Sequence, residues 1–168
     1  MEPRSPTPAP ASPPDELVRR VRDKARVLYW GKEVPHRSCG IAIAETFGLP
    51  TRPYQSLRKG GIDGTGTCGA IVAGQLVLGE LLGDPDPTGA VTPALRSAME
   101  AYLAAVRVRV RRGESATLVC NDLTGQFPVF LSDERLAFCT DIVVVVAGAL
   151  AEALAAHGVR VDPTPVAR

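Results

Sequence analysis

The stretch SDERLAFCTDIVVVVAGALAEALAAH, Ser132 to His157, decides the fold class because it can be read in two ways. Its centre, Ile142 to Val146, is a run of β-branched residues of the kind enriched in strands. Counted from Cys139, however, Val143, Val146, Leu150 and Leu154 recur every three to four residues, the period of one helix face. Ser132 stands just before this pattern as an N-cap. The segment therefore reads as one long helix from Asp133 to about His157, with the Cys139 thiol directed into the core. Its unbroken apolar run, Ile142 to Ala151, has ten residues. A spanning helix needs about 20, so no membrane span is expected.

The rest of the chain repeats this helical grammar. DELVRRVRDKARVLYWG carries Leu17, Val21, Ala25 and Leu28 at helical spacing, with acids at its start and Gly31 as its stop. SCGIAIAETFG is a short helix with Ser38 as N-cap, Cys39 at its first position and Gly48 at its end. A further turn of helix is expected over Pro53 to Lys59. Thr67 then caps a helix that opens with Cys68 and closes before Gly83. Thr92 and Pro93 start another, which is taken to run through VRVRV despite its strand-like alternation. A single helical turn is expected around Cys120. The fold class is all-α, a compact bundle of about five main helices with no internal repeat.

With 168 residues and 17.7 kDa, the chain fits one domain that can build a core without covalent staples. Residues 1–14 are dominated by proline, serine and alanine and read as a disordered tail. Residues 15–160 form the helical domain, and 161–168 a flexible C-terminus. The opening residues contain no apolar signal segment, which points to a reducing cytoplasm. The 19 basic and 18 acidic residues nearly cancel, with no block of like charge, so no nucleic-acid partner is expected.

The four cysteines are thus free for chemistry. Cys39 and Cys68 share one structural address, a helix start, where the partial positive charge and unpaired N–H groups favour a thiolate. Thiolates ligate soft metals and attack disulfides. The loop GGIDGTGTC lets backbone approach closely, and Gly66, Ala70 and Gly74 at four-residue spacing leave one helix face nearly bare for a close neighbour. Such packing would bring together cysteines separated by 29, 52 and 19 residues. Their sulfurs are expected within roughly 7 Å of one another. In metal-free protein Cys68 is expected to be the readiest thiolate, with Cys39 next and Cys139 last. Buried core cysteines and disulfides are the other readings of the same four residues.

Cys39, the block Cys68–Gly69–Ala70–Ile71–Val72–Ala73–Gly74, Cys120 in VCNDLTG and Cys139 follow one another in an order that resembles the redox-active proteins named for the pattern C, GCAxxG, C, C. The resemblance covers about residues 16 to 157. It implies a small, mostly helical protein that is redox-active or holds a metal or iron-sulfur centre. A CxxCH sequence for covalent haem is absent.

Several residues near the cysteines have more ordinary roles open to them. His36 could ligate the same site or be a solvated residue. Asp63, Asn121 and Asp122 could orient ligands or make turns. Arg107, Arg109, Arg111 and Arg112 suit a helix C-terminus, and could also meet an acidic redox partner. With two histidines no Ser-His-Asp set is evident, and the glycine loop lacks the lysine of a phosphate-binding loop.

The sequence thus leads to a cytoplasmic redox protein, an oxidoreductase or electron carrier. Cys39, Cys68, Cys120 and Cys139 converge on one site and ligate an iron-sulfur cluster for electron transfer or redox sensing. The alternatives are a thiol-disulfide protein with Cys68 as nucleophile and Cys39 as its resolving partner, and a zinc module without turnover. A redox partner protein and self-association are the interactions such a site allows.

Overall fold

The computed structural model describes residues 13–167. In it the valine-rich stretch is helical. This last helix, α6 (Asp133–Ala156, 24 residues), starts where Ser132 Oγ accepts the Arg135 backbone N–H at 3.2 Å. Val143, Val146, Leu150 and Leu154 are all buried, and so are Ile142 and Val144 on neighbouring faces. A helix apolar nearly all round belongs in a core. Each side chain buried there is worth about 1.5–3 kcal/mol, which outweighs the few tenths by which valine disfavours a helix.

Around α6 stand α1 (Pro13–Trp30), α2 (Cys39–Thr46), α3 (Gly69–Leu82) and α4 (Pro93–Arg109), with α1 making the most extensive contact. A 3₁₀ helix (Arg52–Leu57) and α5 (Cys120–Thr124) complete the elements. The protein is all-α, and among the described residues five helices have eight residues or more. Among the described residues the only extended pairing is the antiparallel bridge between Thr67 and Val119.

By length and composition α6 could cross a membrane, its most apolar part having a mean hydropathy of 2.0. Yet 61% of that part is buried inside the protein, as befits the core helix of the bundle.

The expected stops and caps fall close to their residues. Gly31 ends α1 at φ +72°, and Gly83 caps the end of α3. Thr92 Oγ1 accepts the Leu95 N–H at 3.0 Å, with Pro93 in the first turn of α4. The alternating VRVRV stays helical to Arg109, burying Val106 and leaving Val108 exposed. The bare face of α3 takes a side chain rather than another backbone. Tyr102 of α4 lies against Gly74 and donates its hydroxyl to the Ile71 carbonyl at 2.9 Å.

The reading of residues 1–12 as a tail lies outside the described residues, and α1 begins at Pro13, two residues before Asp15. At the other end, 161–167 lies along α1. Arg20 reaches the Asp162 carboxylate at 3.4 Å and the Pro163 carbonyl at 3.3 Å, and Pro163 is buried.

Candidate functional site

Two loops are stitched together at one end of the bundle. The Cys68 N–H donates to the Leu118 carbonyl at 2.8 Å, and the Cys120 N–H to the Gly66 carbonyl at 2.9 Å. Asn121 continues the seam, its N–H donating to Gly64 at 2.9 Å and its side-chain amide to the Asp63 carbonyl at 3.1 Å. Two cysteines separated by 52 residues in sequence are thereby held side by side. Glycine is required for this. Gly60 has φ +59°, and a Cβ there would stand 2.5 Å from the Cys120 Cβ.

Cys39 enters from the start of α2 and Cys139 from the second turn of α6. All four cysteines line a single cavity of about 200 Å³. Leu123, Ile142 and Val143 form its apolar wall, and Tyr29, His36, Ser38, Arg58, Lys59 and Arg135 its polar lining. Among the described residues no carboxylate lines it. All four cysteines are free thiols. Among the described residues, no three His, Cys, Asp or Glu side chains stand close enough to hold one metal ion.

Burial governs the thiols. It pushes Cys39 up to about 11, against the N–H groups of Gly40 and Ala70, which favour its thiolate. Cys68 is raised furthest, because the same desolvation outweighs the Ala70 and Ile71 N–H groups that face it. Cys120 and Cys139 are also raised by burial, Cys120 partly offset by the positive charges of Lys59 and then Arg135, and Cys139 by that of Arg135. The negative charges would also repel one another: Cys39 with Cys120 and Cys139, Cys68 with Cys39 and Cys139.

Two expectations at the helix starts need correction. Cys68 occupies the N-cap of α3, one residue before its first turn, with Thr67 in the bridge to Val119. The helix field does act on it, but Cys68 is 8% exposed and desolvation wins. Its thiol is the one that burial raises most among the four. Ser38 is the N-cap of α2 by position, yet its side chain accepts no capping hydrogen bond. Its Oγ is buried and has no partner among the described residues.

His36 lines the cavity, but its Nδ1–H donates to the Tyr29 carbonyl, and burial pulls its pKa below the ordinary imidazole range. Asp63 lies outside the cavity and makes a turn, accepting the Thr65 N–H at 2.9 Å and hydroxyl at 2.8 Å. Asp122 accepts the Thr117 hydroxyl at 2.5 Å. Arg109 pairs with Glu152 of α6, and Arg107, Arg111 and Arg112 are exposed and take no part in the cavity.

Arg135, Tyr29, Arg58 and Lys59 join the site without a counterpart among the sequence expectations. For Arg135 a signal existed. A cation in the first turn of a helix opposes the dipole, and position 135 is one turn before Cys139 on the same face.

No known family, no curated protein and no solved structure matches the chain.

Proposed function

We propose that Cys39, Cys68, Cys120 and Cys139 are the four ligands of an iron-sulfur cluster in a cytoplasmic protein that carries electrons or senses redox state. The observation that carries this reading is the shared cavity. The chain's four cysteines come from separate parts of the sequence and line one enclosure. Their order is also that of the C, GCAxxG, C, C redox proteins that the sequence resembles.

The donor set fits the group. A single tetrahedral ion with Zn–S near 2.3 Å draws its thiolates to within about 3.8 Å of one another. No three ligands among the described residues are that close-set around one point, while four thiolates are also the ligand set of iron-sulfur clusters. Four thiolates around such a cluster leave it net negative, and among the described residues the cavity lining is cationic and holds no carboxylate. The partnerless Ser38 Oγ is a donor waiting for an acceptor in that space. When bound, the cluster supplies one-electron chemistry.

The chain's residues have definite parts in this reading. The cysteines give up their protons on binding, so uptake is favoured by rising pH. The N–H groups of Gly40, Ala70 and Ile71 face sulfur and stabilise negative charge there. Leu123, Ile142 and Val143 keep water from the inner wall.

Anaerobic preparation with iron and acid-labile sulfide analysis and a visible spectrum tests this reading. Iron and sulfide in stoichiometric amounts, with broad absorption that bleaches on reduction, are expected. Zinc without sulfide would replace the reading with a structural module. A metal-free protein that cycles a Cys39–Cys68 disulfide would replace it with thiol-disulfide chemistry.

A further inference from the structure

We propose that Arg135 is the fixed counter-charge of the four-cysteine cavity and raises the reduction potential of the centre held there, an inference that rests on the iron-sulfur reading above. Arg135 is 9% exposed, and its side chain is held from three sides. Its Nε donates to the Phe130 carbonyl at 2.6 Å, its Nη1 donates to the Tyr29 hydroxyl at 3.2 Å, and its guanidinium lies 4.4 Å from the centroid of the Phe130 ring. Every one of these partners is neutral. Among the described residues no carboxylate lies within ion-pair distance of Arg135, and none lines the cavity that it faces.

A buried guanidinium is costly without an anion. The groups able to become anions around it are the thiols. Cys139 lies one turn along α6, Cys120 lies across the cavity, and the positive charge of Arg135 acts on both. Its place in the first turn of α6, against the dipole, is a further cost that hydrogen bonds to neutral groups do not explain.

Reduction of the centre moves one electron in from a one-electron donor protein and adds one unit of negative charge, with no bond broken and no proton transferred. A fixed cation in a low-dielectric wall favours the more negative, reduced state and so raises the potential. Lys59 and Arg58 also line the cavity, and Lys59 acts on Cys120, but both are solvent-exposed, so their charge is screened by solvent and salt where that of the buried Arg135 is not. Arg135 is the buried cation of the cavity lining.

The test is potentiometric titration of reconstituted wild type, Arg135→Lys and Arg135→Gln, with melting curves of the metal-free forms as a check on folding. Glutamine keeps a donor for the Phe130 carbonyl and removes the charge; lysine keeps the charge and loses the fork. The midpoint is expected to fall in Arg135→Gln and to stay near wild type in Arg135→Lys. A folded Arg135→Gln protein that loses iron faster than the other two also supports the counter-charge. A glutamine variant with the wild-type midpoint and iron content overturns the proposal, as does a lysine variant whose midpoint falls equally far, which would mark Arg135 as a scaffold for Phe130. Failure of wild type to take up iron and sulfide overturns the ligand reading and this inference together, and is seen before any potential is measured.

Discussion

Gly69 and Cys39 meet where two helices begin: a Cβ placed on Gly69 would stand 2.9 Å from the Cys39 sulfur and overlap the Leu57 carbonyl. The start of α3 can approach the start of α2 only because residue 69 has no side chain. Helix propensity alone makes Gly69→Ala stabilising by about 1 kcal/mol. The contact reverses that sign. Gly69→Ala is expected to lose about 1–3 kcal/mol in urea unfolding, since overpacking of a tight contact costs that much. A stabilised variant would mean that the two starts are not in contact.

Gly74 is close-packed for a different reason. A side chain there would run into the Tyr102 hydroxyl, which is hydrogen-bonded to Ile71. Gly74→Leu is expected to cost about 1–3 kcal/mol or more. Tyr102→Phe, losing one buried hydrogen bond, should cost about 0.5–1.5 kcal/mol. Thermal melts indistinguishable from wild type for Gly74→Leu would contradict the packing of α3 on α4.

Ser38 and Ser132 occupy the same position relative to their helices and should respond oppositely. Ser132 caps α6 through the Arg135 N–H, so Ser132→Ala is expected to destabilise by about 0.5–2 kcal/mol. Ser38 makes no such bond and buries its hydroxyl unsatisfied. Removing an unpaired buried polar group is neutral or favourable. Ser38→Ala should therefore leave metal-free stability unchanged or higher, while lowering iron retention in the loaded protein. Equal destabilisation of both metal-free variants would restore Ser38 to a capping role.

The pH dependence of the metal-free protein follows from its thiols. Burial raises all four above the ordinary value, Cys39 to about 11 from 9.0. Below pH 9 both folded and unfolded chains hold these protons, and the contribution is fully present. Between about 9 and 11 the unfolded chain loses protons that the folded one keeps, so stability falls as pH rises. At about 1.4 kcal/mol per unit, Cys39 alone accounts for up to about 3 kcal/mol. Urea midpoints of the reduced protein across pH 8 to 11 should decline, and timed alkylation should reach Cys68 last. Early labelling of Cys68 would show that the helix field outweighs burial after all.

The fold was legible because α6 announces itself by periodicity. Val143, Val146, Leu150 and Leu154 continue one stripe from Cys139, and their burial overrides the strand preference of the valines between them. The caps at Thr92 and Ser132 and the stops at Gly31 and Gly83 are local chemistry, so they too could be read from single residues. What could not be read was tertiary. The bridge from Thr67 to Val119 shifts Cys68 to the N-cap, and pairing between distant loops leaves no mark in local spacing. The burial that raises the Cys68 thiol could not be read for the same reason, since the cavity wall of Leu123, Ile142 and Val143 arrives from elsewhere in the chain. Arg135 is visible as an oddity of α6, but its want of a carboxylate partner belongs to the folded structure.

If the four cysteines act as one ligand set, iron content across the four single Cys→Ser variants reports it. Each variant is reconstituted anaerobically beside wild type and assayed for iron and sulfide per chain. Cys39→Ser, Cys68→Ser, Cys120→Ser and Cys139→Ser are each expected to lose most bound iron, by about tenfold in affinity or more, while the metal-free forms keep a helical circular dichroism spectrum. A variant that binds iron and sulfide as wild type does would remove its cysteine from the set, and wild-type binding in any two would contradict the four-cysteine centre.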